Sequence, residues 1–174
     1  VFCQQAQIAA PGRYSRLFSL LEPVVAEVRA PRGGAFHPKL WLARYTAEEQ
    51  ADHYRLVVLS RNLTLDRSWD AMLVTDGQLR TSATNHNEPL IDLFAALPKM
   101  CAQPLERERR LAIQRLADEL WYVDFERPEA VSRLRFHPIG VRGHRELPIG
   151  RADRRLVISP FLSDETVLQL LAEA

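Results

Sequence analysis

The sequence predicts a mixed α/β fold, a sheet flanked by helices on both sides. Three observations predict it. Strand-length apolar runs cluster between residues 24 and 75, two longer stretches between 88 and 120 carry apolar residues at helical spacing, and Gly, Pro and Asp-Gly punctuation separates them. With 174 residues, 47% hydrophobic and 26% charged, the chain is long enough to bury a core.

Residues 14–22 place Leu17, Phe18 and Leu21 at helical spacing, and Pro23 ends that helix. Residues 24–29 read as a short β-branched strand, broken by Pro31 and the turn pair Gly33-Gly34. Residues 36–45 and 54–59 form an antiparallel pair joined by an acidic segment over 48–52, and residues 71–75 add a strand closed by the turn dipeptide Asp76-Gly77. A helix over 88–97 sets Leu90, Leu93, Phe94 and Leu97 on one face, with Pro98 and Pro104 as punctuation. A second over 105–120 runs through Leu105, Ala112, Leu116 and Leu120, and the mixed charges from Glu106 to Arg110 make its solvated face. Further strands are predicted over 121–125 and 134–136. Residues 137–153, rich in Gly, Pro and Arg, read as a linker. An apolar run over 156–159 predicts a buried strand, and Ser163 caps a helix with Asp164 and Glu165 in its first turn.

Composition narrows the function. No apolar run approaches the roughly 18 residues that span a bilayer, and the start lacks a basic region followed by an apolar one, so no membrane partner is expected. Cys3 and Cys101 lie far apart without metal-ligand or disulfide-framework spacing, which points to a reducing cytoplasm. The sequence reads as a piece of a longer protein. A net charge of +1 gives no global basic field, so nucleic-acid binding has to rest on local patches. Of 23 basic residues only Lys39 and Lys99 are lysine, so a lysine within a motif hints at a need for a compact ammonium. His53, His86 and His144 have no metal-ligand spacing.

The sharp chemical signal is the run from Phe36 to Leu42 together with Leu59 to Thr64. In an extended strand His37 and Lys39 project to one side while Phe36, Leu40 and Leu42 face the core, and Ser60 and Asn62 are expected to repeat that geometry on the next strand. An imidazole, an ammonium, a carboxamide and a hydroxyl around one hollow suit a cluster of phosphate oxygens. A lone strand histidine is ordinarily a half-buried residue with a backbone partner, a reading that leaves the other three groups unexplained. Trp41, on the His37 side, reads as a core or lobe-interface residue, with base stacking as the alternative.

These residues resemble the phospholipase D superfamily, whose half-site reads His-x-Lys, four residues, Asp, then Gly-Ser-x-Asn. His37-x-Lys39 and Ser60-x-Asn62 match position for position, whereas Arg44 stands at the Asp and Leu59 at the Gly. The gap between the two halves is lengthened by residues 46–53, read as an extended hairpin loop. Without the Asp the motif is similar to the His-Lys-Asn form of tyrosyl-DNA phosphodiesterases and some bacterial nucleases. The wording Ser60-Arg61-Asn62-Leu63-Thr64, followed by Asp66-Arg67-Ser68-Trp69-Asp70, is likewise similar to bacterial phospholipase D-like nucleases.

The resemblance implies a phospholipase D-like α/β sandwich lobe over 1–136, a linker over 137–153 and the start of a second lobe over 154–174. It implies metal-independent, cofactor-free phosphodiester cleavage with nucleic acid as substrate: His37 as nucleophile, Lys39, Asn62 and Ser60 on the phosphate oxygens, Asp70 holding the imidazole, and Arg61 and Thr64 on neighbouring phosphates. A second half-site, absent from these residues, is expected from another lobe or from a second copy of the chain. Phe136-His137-Pro138 echoes the first motif, but Ile139 stands at the lysine and His137 reads as a linker residue. The alternatives are a non-catalytic phosphate-binding module and, disfavoured by Arg44 and Leu59, a lipid phosphodiesterase.

Overall fold

The computed structural model describes residues 1–7, 16–62, 67–141, 143–144, 150, 153–154, 156–157 and 163–172. It is a mixed α/β structure with two sheets. Strands β1 (Phe2–Gln4) and β2 (Ala26–Val28) form a parallel pair, while β3 (Leu40–Tyr45), β4 (His53–Leu59), β5 (Met72–Leu79) and β6 (Val123–Phe125) form an antiparallel sheet in that order. Helices α1 (Arg16–Leu21), α2 (Glu88–Met100), α3 (Arg107–Leu120) and α4 (Asp164–Ala172), with short 3-10 turns at Glu22–Val24 and Pro31–Gly33, complete the described elements. Backbone bonds from Arg29 to Met100 (2.9 Å) and from Ala102 to Glu27 (2.8 Å) tie the parallel pair to the end of α2.

Alternation decides which face of the larger sheet is buried. Leu40 and Leu42 on β3 oppose Val58 and Leu56 on β4, and this set packs under α2 and α3 with Tyr54, Leu90, Leu120, Val123 and Phe125 fully enclosed. Enclosing each such aliphatic or aromatic side chain contributes about 1.5–3 kcal/mol. The helices supply Leu90, Leu93 and Leu97 at the predicted spacing, and Leu116, Ala117 and Leu120. Asn87, just before α2, is buried and donates to the carbonyls of Leu120 (2.9 Å) and Val123 (2.7 Å), joining the end of α3 to β6.

Several expectations are corrected. Both described helices that pack on the four-stranded sheet lie on one face, and no helix among the described residues covers the other. Asp76-Gly77 is not a turn but lies within β5, where Gly77 opposes Tyr54 and Phe125. A Cβ at Gly77 would come within 2.6 Å of Val123 Cγ1 and 2.9 Å of Phe125 Cδ1, so glycine serves here for close approach, and Asp76 is held across the sheet by Arg55. Pro98 lies inside the last turn of α2 rather than after it. Residues 134–136 form no strand, although Leu134 and Phe136 still pack on the core. Leu156 and Val157 are not in a strand, and the rest of the predicted 156–159 run lies outside the described residues. His144, within the predicted linker, is docked on α2 through Asp92 (2.9 Å). Ser163 does cap α4, its Oγ accepting from the Thr166 amide (3.2 Å). No described helix is long and apolar enough to cross a membrane.

Candidate functional site

His37 and Lys39 precede β3, and the pairing of β3 with β4 continues outward as far as a 2.9 Å bond from the Leu59 amide to the Lys39 carbonyl. Beyond that bond the backbone, led by Pro38, leaves the ladder. His37 is exposed and Lys39 half-buried, and the Lys39 ammonium lies 2.9 Å from Nδ1 and 3.1 Å from Nε2 of His37. An ammonium only donates, so the ring nitrogen it bonds acts as acceptor. A further bond of 3.3 Å runs from Nζ to the His37 carbonyl, and no carboxylate lies within ion-pair distance of Lys39 among the described residues.

Ser60 does not join this pair in the way the sequence suggests. Opposed residues of an antiparallel pair share a face, and the register sets Lys39 against Leu59, so the strand alternation assigns Ser60 to the other side. Strand β4 also ends at Leu59, and Ser60 turns into the connection to β5. There its amide donates to the Ala71 carbonyl (2.9 Å), its Oγ accepts from the Ala71 amide (2.9 Å), and its hydroxyl donates to the Asp70 carboxylate. Ser60 thus ties the end of β4 to Asp70 and Ala71, and Asp70 is engaged by that hydroxyl rather than by the His37 ring. Asn62 is exposed and Arg61 half-buried within the loop, while Thr64 lies outside the described residues.

A polar cluster missed at the sequence level lies between β3 and α3. Arg44, at the position where the resembled motif has an aspartate, donates to Asp52 Oδ2 (2.6 Å), and its Nε lies 3.1 Å from Glu119 Oε2 but off the hydrogen-bond axis, leaving that N–H without an acceptor. Tyr54 donates to the same Glu119 oxygen (2.6 Å), and Arg115 holds the other (2.9 Å). Burial, reinforced by the Glu119 hydrogen bond, pushes the Tyr54 phenol up to about 12. A cavity of about 520 Å³, lined by Arg44, Leu111, Arg115 and Glu119, opens beside this cluster. The signal that could have found it is a charged residue at an inward-facing strand position, which has to be paired.

On the open face of the sheet, Arg55 grips Asp76 with two bonds of 2.7 and 2.8 Å, which hold the Asp76 carboxyl below its ordinary range, with His53 3.5 Å away. No group of three or more His, Cys, Asp or Glu that could hold a metal occurs among the described residues. Searches of family models, of curated proteins and of solved structures find no match to the chain.

Proposed function

We propose that the chain carries one half of a metal-independent phosphodiesterase site of the phospholipase D-like kind, acting on nucleic acid. The observation that carries the reading is the contact of the Lys39 ammonium with the His37 ring at an exposed strand end, in a His-x-Lys pattern followed by Ser60-x-Asn62. The Lys39 ammonium, which has no carboxylate partner among the described residues, supplies a positive charge next to a ring nitrogen, the pairing that an incoming phosphate anion needs.

In this reading a lone pair on a His37 ring nitrogen attacks phosphorus, forming a P–N bond as the P–O bond to the leaving group breaks. Lys39 moves from the ring to the non-bridging oxygens, where the Asn62 carboxamide joins it as negative charge builds. A second histidine, supplied by another lobe or a second copy, protonates the leaving oxygen and then takes a proton from the water that cleaves the P–N bond. The bonds from Ser60 to Asp70 and Ala71 position the neighbouring Arg61 and Asn62.

A second reading, a phosphate-binding module without turnover, is favoured by one observation: Asp70 is engaged by Ser60, and no carboxylate among the described residues orients the imidazole. Incubation of the full-length protein with labelled DNA and RNA in EDTA, followed by a denaturing quench at alkaline pH that preserves a P–N bond, separates the two. Chelator-resistant cleavage with label at His37 supports the phosphodiesterase. Binding with neither cleavage nor label assigns the module instead.

A further inference from the structure

From the open face of the β3-β4-β5-β6 sheet we infer a platform for single-stranded nucleic acid, with bases stacked on Trp41 and Tyr45. The strand register builds the face. Trp41 opposes Val57, which opposes Val74; Ala43 opposes Arg55, which opposes Asp76; and Tyr45 opposes His53, which opposes Gln78. Trp41 is 54% exposed, Met72 64% and Val74 43%, and with Val57 between them they make an apolar patch with no described helix over it, while Tyr45, 53% exposed, lies beyond the Ala43-Arg55-Asp76 row. Tyr45 also meets the His53 ring at 5.9 Å between centroids.

Charge selects the occupant. Among the described strand residues, the carboxylates on this face are Asp76, gripped by Arg55, and Asp124 at its far edge, paired with Arg80. Lys39, where the apolar row begins, has no carboxylate partner among the described residues. A helix or a second copy would need the apolar row alone. A polyanion with flat aromatic bases uses the row and the uncompensated ammonium together. Trp41 and Tyr45 are four residues apart on one strand, about 13 Å, so they make two separate stacking positions rather than one sandwich. A base lies flat on such a ring only when unpaired, because in a duplex its faces are already covered. The inference rests on the phosphodiesterase reading for what happens at the His37 end, and it adds to that reading a substrate class and a path leading away from the site.

The test is fluorescence anisotropy of a labelled mixed-sequence oligonucleotide, single-stranded and as the duplex, with the full chain and with Trp41→Ala, Trp41→Phe and Tyr45→Ala. The expected result is single-strand binding at least tenfold tighter than duplex binding, weakened roughly ten- to hundredfold by Trp41→Ala or Tyr45→Ala and largely restored in Trp41→Phe. Equal affinity for the duplex, or alanine variants that bind as the parent does, overturns the platform. A dimer in light scattering that Trp41→Ala dissolves, without oligonucleotide binding, assigns the face to a second copy and also overturns it. Phosphoenzyme at His37 without single-strand preference defeats the platform alone, whereas single-strand binding through Trp41 without label at His37 defeats the phosphodiesterase alone.

Discussion

The hydroxyl of Ser60 is donated to the carboxylate of Asp70, which places both residues at the neck of one loop rather than at the imidazole of His37. Removing a carboxylate that orients a catalytic histidine costs about 10⁴ in rate where it has been measured in serine proteases. Asp70→Asn should therefore leave labelling of His37 within about tenfold of the parent, because an amide oxygen still accepts from Ser60. Single-turnover labelling checks this, and a loss of about 10⁴ would return Asp70 to the role of holding the ring. Ser60→Ala, which removes two bonds at the neck, should speed amide exchange at Ala71 and cost about 1 kcal/mol.

Tyr54 gives a pH dependence with a definite sign. Its phenol ionises at an ordinary 10.0 in the unfolded chain and at about 12 in the folded one, so the folded state holds the proton more tightly. The stabilisation is fully present below pH 10 and is lost as pH rises towards about 12. In a spectrophotometric titration one late tyrosine should disappear in Tyr54→Phe. Glu119→Gln should lower its midpoint while leaving it above 10, since burial is the larger cause and the Glu119 hydrogen bond the smaller.

Gly77→Ala should destabilise the fold by about 1–3 kcal/mol, because the added methyl meets Val123 and Phe125 in a packed core. Urea unfolding should show a lower midpoint with an unchanged slope. Val123→Ala is destabilising alone, yet combined with Gly77→Ala it should cost less than the sum, since it removes the methyl that collides.

At the candidate site, His37→Ala should abolish cleavage and labelling. Lys39→Ala should lower single-turnover cleavage by about 10²–10³, the usual cost of a lost transition-state donor. Lys39→Arg should restore only part of it, because a planar fork cannot reproduce a point charge held against the His37 ring. Unchanged cleavage in Lys39→Ala would remove the ammonium from the chemistry.

Much of the fold was legible because it rests on periodicity: the β3-β4 pair, α2, α3 and the Ser163 cap each follow from local spacing. What escaped depends on partners distant in sequence. Asp76-Gly77 reads as a turn until β6 is laid against it, and Asn87 reads as one more polar residue before α2 until its amide is seen to join Leu120 to Val123. At the site, the pairing carried out to Lys39 keeps that residue on the face opposite Leu40 and Leu42, while His37 lies before the strand, where alternation no longer applies. The place of Ser60 was not legible, since cross-strand register is fixed by pairing rather than by either strand alone, and a shift of one residue changes the face.

Strand β3 ends its sheet, and the same register shows what that edge offers. Lys39 exchanges its carbonyl bond with Leu59, so Trp41, Ala43 and Tyr45 point their backbone groups inward to β4. The amides and carbonyls of Leu40, Leu42 and Arg44 therefore face away from the sheet. Proline tolerance along β3 should alternate accordingly: Leu42 can lose its N–H without breaking a rung of the ladder, and Ala43 cannot.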